Sequence, residues 1–176
     1  MEINEITGDI LDASVKIHKM FGPGLLESVY ERLLTIELGR RGHHVERQKS
    51  VSFRYEDVLF ENAFRIDLLV DGQVVVELKS TTTMHPVYAK QVRTYLVLAG
   101  LQVGLLVNFG MPTLKDGFVR VINSKTDFCD SASLRDANSQ PSHLCDSASL
   151  RDAKSVVTGV SVTLRDVDFT KGIDQI

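Results

Sequence analysis

The sequence predicts a mixed α/β domain in residues 1–123, in the order helix, helix, strand, strand, strand, helix, strand, strand, with a low-complexity extension over residues 124–176. Three observations carry this. Residues 3–41 place apolar side chains at helical spacing, interrupted once by Phe21-Gly22-Pro23-Gly24. From His44 the pattern changes to alternation, the period of strands. A helical segment then lies between two apolar strand-like runs, which is the arrangement of a crossover between parallel strands. A chain of 176 residues that is 43% hydrophobic has room for one globular domain and is not wholly disordered. Its formal net charge of −3 gives no general attraction to nucleic acid. Such binding would need a local patch, for which Arg40, Arg41, His43, His44, Arg47 and Lys49 are candidates, although the same run also reads as solvated charge at a helix end.

The first helix is expected over Ile3 to Met20, with Ile6, Ile10, Ala13, Val15 and Ile17 inward and Asp9, Asp12, Lys16 and Lys19 outward. Pro23 and its flanking glycines end it. The second is expected over Leu25 to Arg41, with Leu26, Val29, Leu33, Leu34, Ile36 and Leu38 as its apolar side and Gly42 as its stop. Glu27 and Tyr30 share a face of its first turns. An acid there is favoured by the helix dipole, and a half-buried tyrosine beside it is ordinary.

Val45, Val51, Phe53 and Tyr55, then Val58 and Phe60, read as one long or two short strands with Glu56-Asp57 as the turn. Thr81-Thr82-Thr83 is placed to cap a helix that begins near His85-Pro86 and runs from Val87 to Ala99, packing on Val92, Leu96 and Ala99. Gln91 and Tyr95 lie four apart beside that face, where they also suit a polar rim. The glycine-bounded run Gly100 to Gly110 suits a central strand covered on both faces, and Gly117 to Ile122 makes a last short strand.

The stretch Phe64 to Ser80 sets one Asp, one Glu and one Lys among strand residues, and burying ionisable groups is costly unless they are paired. Alternation points Glu77 and Lys79 the same way, roughly 6–7 Å apart. Register decides whether Asp67 joins them. A two-residue turn at Asp71-Gly72 pairs Val70 with Gln73 and sends Asp67 and Glu77 to different faces. A left-handed Gly72 with Val70 opposite Val74 brings Asp67 opposite Glu77, and that irregular turn is the prediction. The alternative is an Asp at a strand end beside a solvated Glu77–Lys79 edge pair.

Asp67 on one strand and Glu77-Leu78-Lys79 on the next resemble the core of the PD-(D/E)xK nuclease superfamily, and Gly24-Leu-Leu-Glu27-Ser-Val-Tyr30 matches the signature of its GxxExxY family. Gln91-Val-Arg-Thr-Tyr95, Asn108-Phe109-Gly110 and Gly117 to Ile122 match in the same order, so the resemblance spans about residues 3 to 123. Family members often carry a histidine where this chain has Tyr88. The resemblance implies a metal-dependent nuclease acting on DNA or RNA. Asp67 and Glu77, with Glu27 as a third acid, would hold Mg2+ or Mn2+, hard cations suited to oxygen ligands. Lys79 would activate water or steady charge on the phosphate, Gln91 with Tyr95 would orient the substrate, and Tyr30 would contact it. Pairing of two copies into a homodimer is the further implication.

A non-catalytic nucleic-acid- or protein-binding module on the same scaffold is the alternative, and a purely structural domain the third reading. Cys129 and Cys145 lie in the repeat Cys-Asp-Ser-Ala-Ser-Leu-Arg-Asp-Ala, which occurs at 129–137 and 145–153 and is too polar and too short a series to stack as a solenoid. Residues 124–155 read as a flexible tail, and Ser155 to Phe169 as an added strand. With no basic and apolar leader pattern and no apolar run of membrane length, a cytoplasmic location is expected.

Overall fold

The computed structural model describes residues 1–124, so the expectations for the repeat-bearing extension lie outside the described residues. Helices α1 (Ile3–Phe21) and α2 (Glu27–Arg40) lead into strands β1 (Val45–Tyr55), β2 (Val58–Val70) and β3 (Val74–Lys79). Helix α3 (Pro86–Ala99), strand β4 (Val103–Asn108), a single turn α4 (Leu114–Gly117) and strand β5 (Phe118–Ile122) complete the domain. The five strands form one sheet in the order β1-β2-β3-β4-β5. Only the β3–β4 pair is parallel, and α3 is the crossover between them, as the sequence order predicted. The turn α4 was not anticipated.

Each face of the sheet has its own core. On one side Ile6, Ile10, Tyr30, Leu34 and Leu38 of α1 and α2 meet Leu68, Val70, Val74, Val76, Leu105 and Val107. On the other, Val92 and Leu96 of α3 meet Leu69, Val75 and Leu106. Because both faces are covered, β3 and β4 read as almost unbroken apolar runs. Gly104 permits the close approach of α3, since a Cβ there would stand 2.5 Å from Val92 Cγ1.

Two local expectations fail. Leu26, Val29 and Ile36, read as inward, are 73%, 38% and 50% exposed, while Tyr30, Glu31, Leu34 and Leu38 are buried. Helix α2 packs along a narrow i, i+4, i+8 row, and the wider apolar stripe seen in sequence continues onto its outer side. The α3 cap is His85, with Pro86 at the first helical position, whereas Thr81 instead donates its amide to Asn108 Oδ1 at 3.0 Å. The β1–β2 hairpin turns at Glu56-Asp57 as expected but runs well beyond the body of the sheet, leaving Tyr55, Val58, Leu59 and Phe60 exposed.

Candidate active site

The β2–β3 turn sets the geometry. Asp71 and Gly72 both have left-handed backbones, with φ of 52° and 66°, Gln73 N–H donates to Val70 O at 3.0 Å, and Val70 stands opposite Val74. This is the register predicted for the hairpin. Left-handed Asp71 is tolerable because its carboxylate accepts from His44 N–H at 2.8 Å and from the His43 ring at 2.7 Å. The β2–β3 pairing stops at Leu68–Val76, and one further step in the same register brings Asp67 across from Glu77. There the Leu78 N–H donates to Asp67 Oδ2 at 2.9 Å, so a carboxylate takes over from a strand carbonyl.

Alternation along β3 sends Val76 and Leu78 into the α1/α2 core and Val75 into the α3 core, so Glu77 and Lys79 point toward α3. Glu77 is 3% exposed and accepts from Lys79 Nζ through Oε1 at 2.6 Å. Its second oxygen, Oε2, is buried with no hydrogen-bond partner. Burial, then the charges of Asp67 and Glu27, push the Glu77 carboxyl up to about 7 against the pull of Lys79. Burial also raises Asp67, against the Leu78 amide and Lys79. For Lys79 burial alone would lower the ammonium, but Glu77, Glu27 and Asp67 outweigh it and the net shift is upward. Lys79 therefore holds its proton, and its Nζ stands 5.6 Å from the Tyr88 ring centroid.

This half-splayed strand pair, with an acid on one strand and Glu-x-Lys on the next, is where similarity to known proteins becomes informative. The family model of the PD-(D/E)XK nuclease superfamily matches residues 4–121. The chain belongs to that superfamily. No curated protein and no solved structure matches it.

In this superfamily member the fit to a divalent cation is tested by Glu77 Oε2. A buried carboxylate oxygen without a donor is costly, and a cation beside Asp67 and Glu77 would relieve it. Two carboxylates suffice for Mg2+, which keeps several waters and takes its other oxygens from substrate phosphate. Among the described residues no three His, Cys, Asp or Glu side chains are grouped closely enough to ligate one ion, so Glu27 is not drawn into the three-acid ligand set expected from the sequence. Glu27 opens α2 at the rim of a cleft of about 580 Å3 between the Pro23–Leu26 turn, Ser80, Thr82 and Gly110. Partial burial raises its carboxyl despite Lys79, with Asp67 and Glu31 adding to the rise.

Tyr30, expected to contact substrate, is fully buried. Its ring stacks on Phe109 at 4.3 Å, and its hydroxyl donates to Gly22 O at 2.6 Å and accepts from Leu25 N–H at 3.2 Å. An aromatic ring flush with the core and a saturated hydroxyl leave nothing for a substrate. Tyr30 instead clamps the turn that starts α2 and thereby places Glu27. Gln91 lies on α3 and donates to Tyr95 Oη at 2.7 Å, and Tyr95 stacks on Phe64 at 4.3 Å.

Two supporting residues escaped the sequence reading. Gln48 Nε2 reaches Asp67 Oδ1 at 3.3 Å and Glu31 Oε2 at 2.7 Å, and Glu31 Oε1 accepts from Arg47 Nε at 2.8 Å. Glu31 follows Tyr30 directly and is buried with it, a placement that shows only once α2 is packed. The basic run proposed as a nucleic-acid patch is largely neutralised: Arg40 faces Glu37, Arg41 and His43 meet Asp9, Arg47 meets Glu31 and Lys49 meets Glu46. No helix among the described residues is long and apolar enough to cross a membrane.

Proposed function

We propose that this chain is a nuclease of the GxxExxY branch, hydrolysing phosphodiester bonds in DNA or RNA with Mg2+ or Mn2+. The single observation carrying the reading is the partnerless, buried Glu77 Oε2 beside Asp67 and Lys79. Asp67 and Glu77 hold the ion. When bound, the cation polarises a phosphoryl oxygen and acidifies water. Lys79 stays an ammonium and donates to the phosphate oxygens as their charge builds, which is electrostatic stabilisation rather than proton abstraction. Glu27 orients water at the cleft rim, and Gln91, held by Tyr95, orients the substrate. The match of Gly24, Glu27 and Tyr30 to the signature supports the branch assignment.

Plasmid nicking with magnesium or manganese, run beside Asp67→Asn and Lys79→Ala, tests the proposal. Metal-dependent nicking by the wild type and its loss in both variants is the expected result. Cleavage that survives both changes overturns the assignment, and metal binding with no cleavage by the wild type leaves a binding module on the nuclease scaffold.

A further inference from the structure

The path of the strand away from the reacting phosphate is drawn by charge and by rings. No acidic residue lies between Glu77 and Asp116, in a chain with 23 acids. That stretch contains α3, whose charged side chains are Lys90 and Arg93. Beside Lys79, the exposed His85 meets the Tyr88 ring edge-on at 5.6 Å. One face further along, Tyr95 stacks on Phe64, which pairs across the sheet with Val51. Val51 belongs to the α3-side core, and Phe53, two residues further along β1 and past an irregularity in the β1–β2 register, stacks on Phe60 at 5.0 Å. Ring pairs thus recur from Lys79 across α3 and out along the β1–β2 arm, the last ending at Phe60, which is 44% exposed.

We infer that this series of rings is a binding track for single-stranded nucleic acid, with bases stacking on Tyr88, His85 and Phe60 and the backbone passing Lys90. The inference rests on the nuclease reading and names its substrate class. Unpaired bases offer free π faces to aromatic side chains, whereas a duplex hides them and presents phosphates. The arm is ill-suited to phosphates, because its turn carries Glu56 and Asp57 and its return strand Glu61. Nor does the Arg40–Lys49 run offer a free basic surface for a duplex, its charges being largely matched by carboxylates.

Fluorescence anisotropy on the Asp67→Asn protein in EDTA, where no cleavage interferes, tests the track with a labelled DNA strand, the same strand as RNA, and the strand annealed to its complement. The single strands should bind roughly tenfold or more tighter than the duplex. Phe60→Ser and Tyr88→Leu should each weaken single-strand binding roughly fivefold or more. Lys90→Glu should weaken it, while Lys19→Glu, the same charge change on exposed α1, should leave it within about twofold. Should Tyr88→Leu disturb folding, Phe60→Ser and Lys90→Glu still decide. Duplex binding as tight as single-strand binding, or variants indistinguishable from their parent, overturns the inference. So does a change in sedimentation mass for Phe60→Ser with binding intact, which would make the arm a contact between copies. Wild-type nicking without single-strand binding would sink the track and spare the nuclease, and the expected binding pattern without any cleavage would do the reverse.

Discussion

Two buried charge clusters mark the two ends of the β2–β3 hairpin. At the turn, the enclosed His43 ring has a carboxylate at each nitrogen, Asp71 at 2.7 Å and Asp9 at 3.2 Å. Those acids use their remaining oxygens on His44 N–H and Arg41. At the open end, Asp67, Glu77 and Lys79 share fewer contacts, and Glu77 Oε2 has none. The titrations diverge accordingly. Burial works against the charged form of Asp71, but His43 and the His44 amide outweigh it and the carboxyl is lowered. Burial wins at Glu77, which rises to about 7. A charge cluster that serves the fold closes its hydrogen bonds, whereas one that awaits a ligand leaves an acceptor open.

The widest separation between the clusters should appear in catalysis. Lys79→Met should lower metal-dependent nicking by about a thousandfold, the scale set by removing a group aimed at transition-state charge. His43→Ala should leave the rate within a few-fold wherever the variant is folded. In denaturant melts His43→Ala should cost about 2 kcal/mol, because each of two carboxylates loses one hydrogen bond while keeping its other partner.

The next contrast is in pH. The folded-state pKa of Glu77 stands above its ordinary 4.5, so the metal-free protein loses stability as pH rises from 4.5 through about 7. At about 1.4 kcal/mol per unit, that shift is on the order of 3 kcal/mol. Metal-free Glu77→Gln should therefore be more stable than wild type near pH ~8 by up to that amount, with the gain fading toward pH ~4.5. Asp71 has the opposite sign. Its stabilisation is present above its ordinary 3.8 and is lost as pH falls through the lowered folded value. A Glu77→Gln gain that does not vary with pH would mean the carboxyl is not held up by burial.

A somewhat smaller effect is expected from metal itself. Manganese at about a hundred times its dissociation constant should add about 2.7 kcal/mol of stability, read as a rise in Tm. His43→Ala should keep that increment and Asp67→Asn should lose it. Smallest of all, Gln48→Ala should cost about 1 kcal/mol and loosen manganese binding by a few-fold, because it removes one hydrogen bond from Asp67.

Much of the hairpin was legible beforehand because its determinants are local. Asp71-Gly72 favours a turn with positive φ, and counting residues from Val70 and Val74 fixes which side chains meet. The crossover was legible because a helix between two apolar strands has few ways to pack. The support beneath Asp67 was not. Gln48, Glu31 and Arg47 meet only when α2 lies across the hairpin, and no periodicity encodes that contact.

By itself the sequence determined the order of the main elements, the turn at Asp71-Gly72 and the alternation that sets Glu77 beside Lys79, all of which follow from backbone period and turn chemistry over a few residues. Tertiary structure decided which side of α2 is buried, and hence that Tyr30 clamps the core while Leu26 and Ile36 face outward. It also decided that most of the basic run is matched by carboxylates and that Glu77 Oε2 is left alone. Burial and partnership are properties of surfaces brought together from distant parts of the chain, and they take their values only once those surfaces meet.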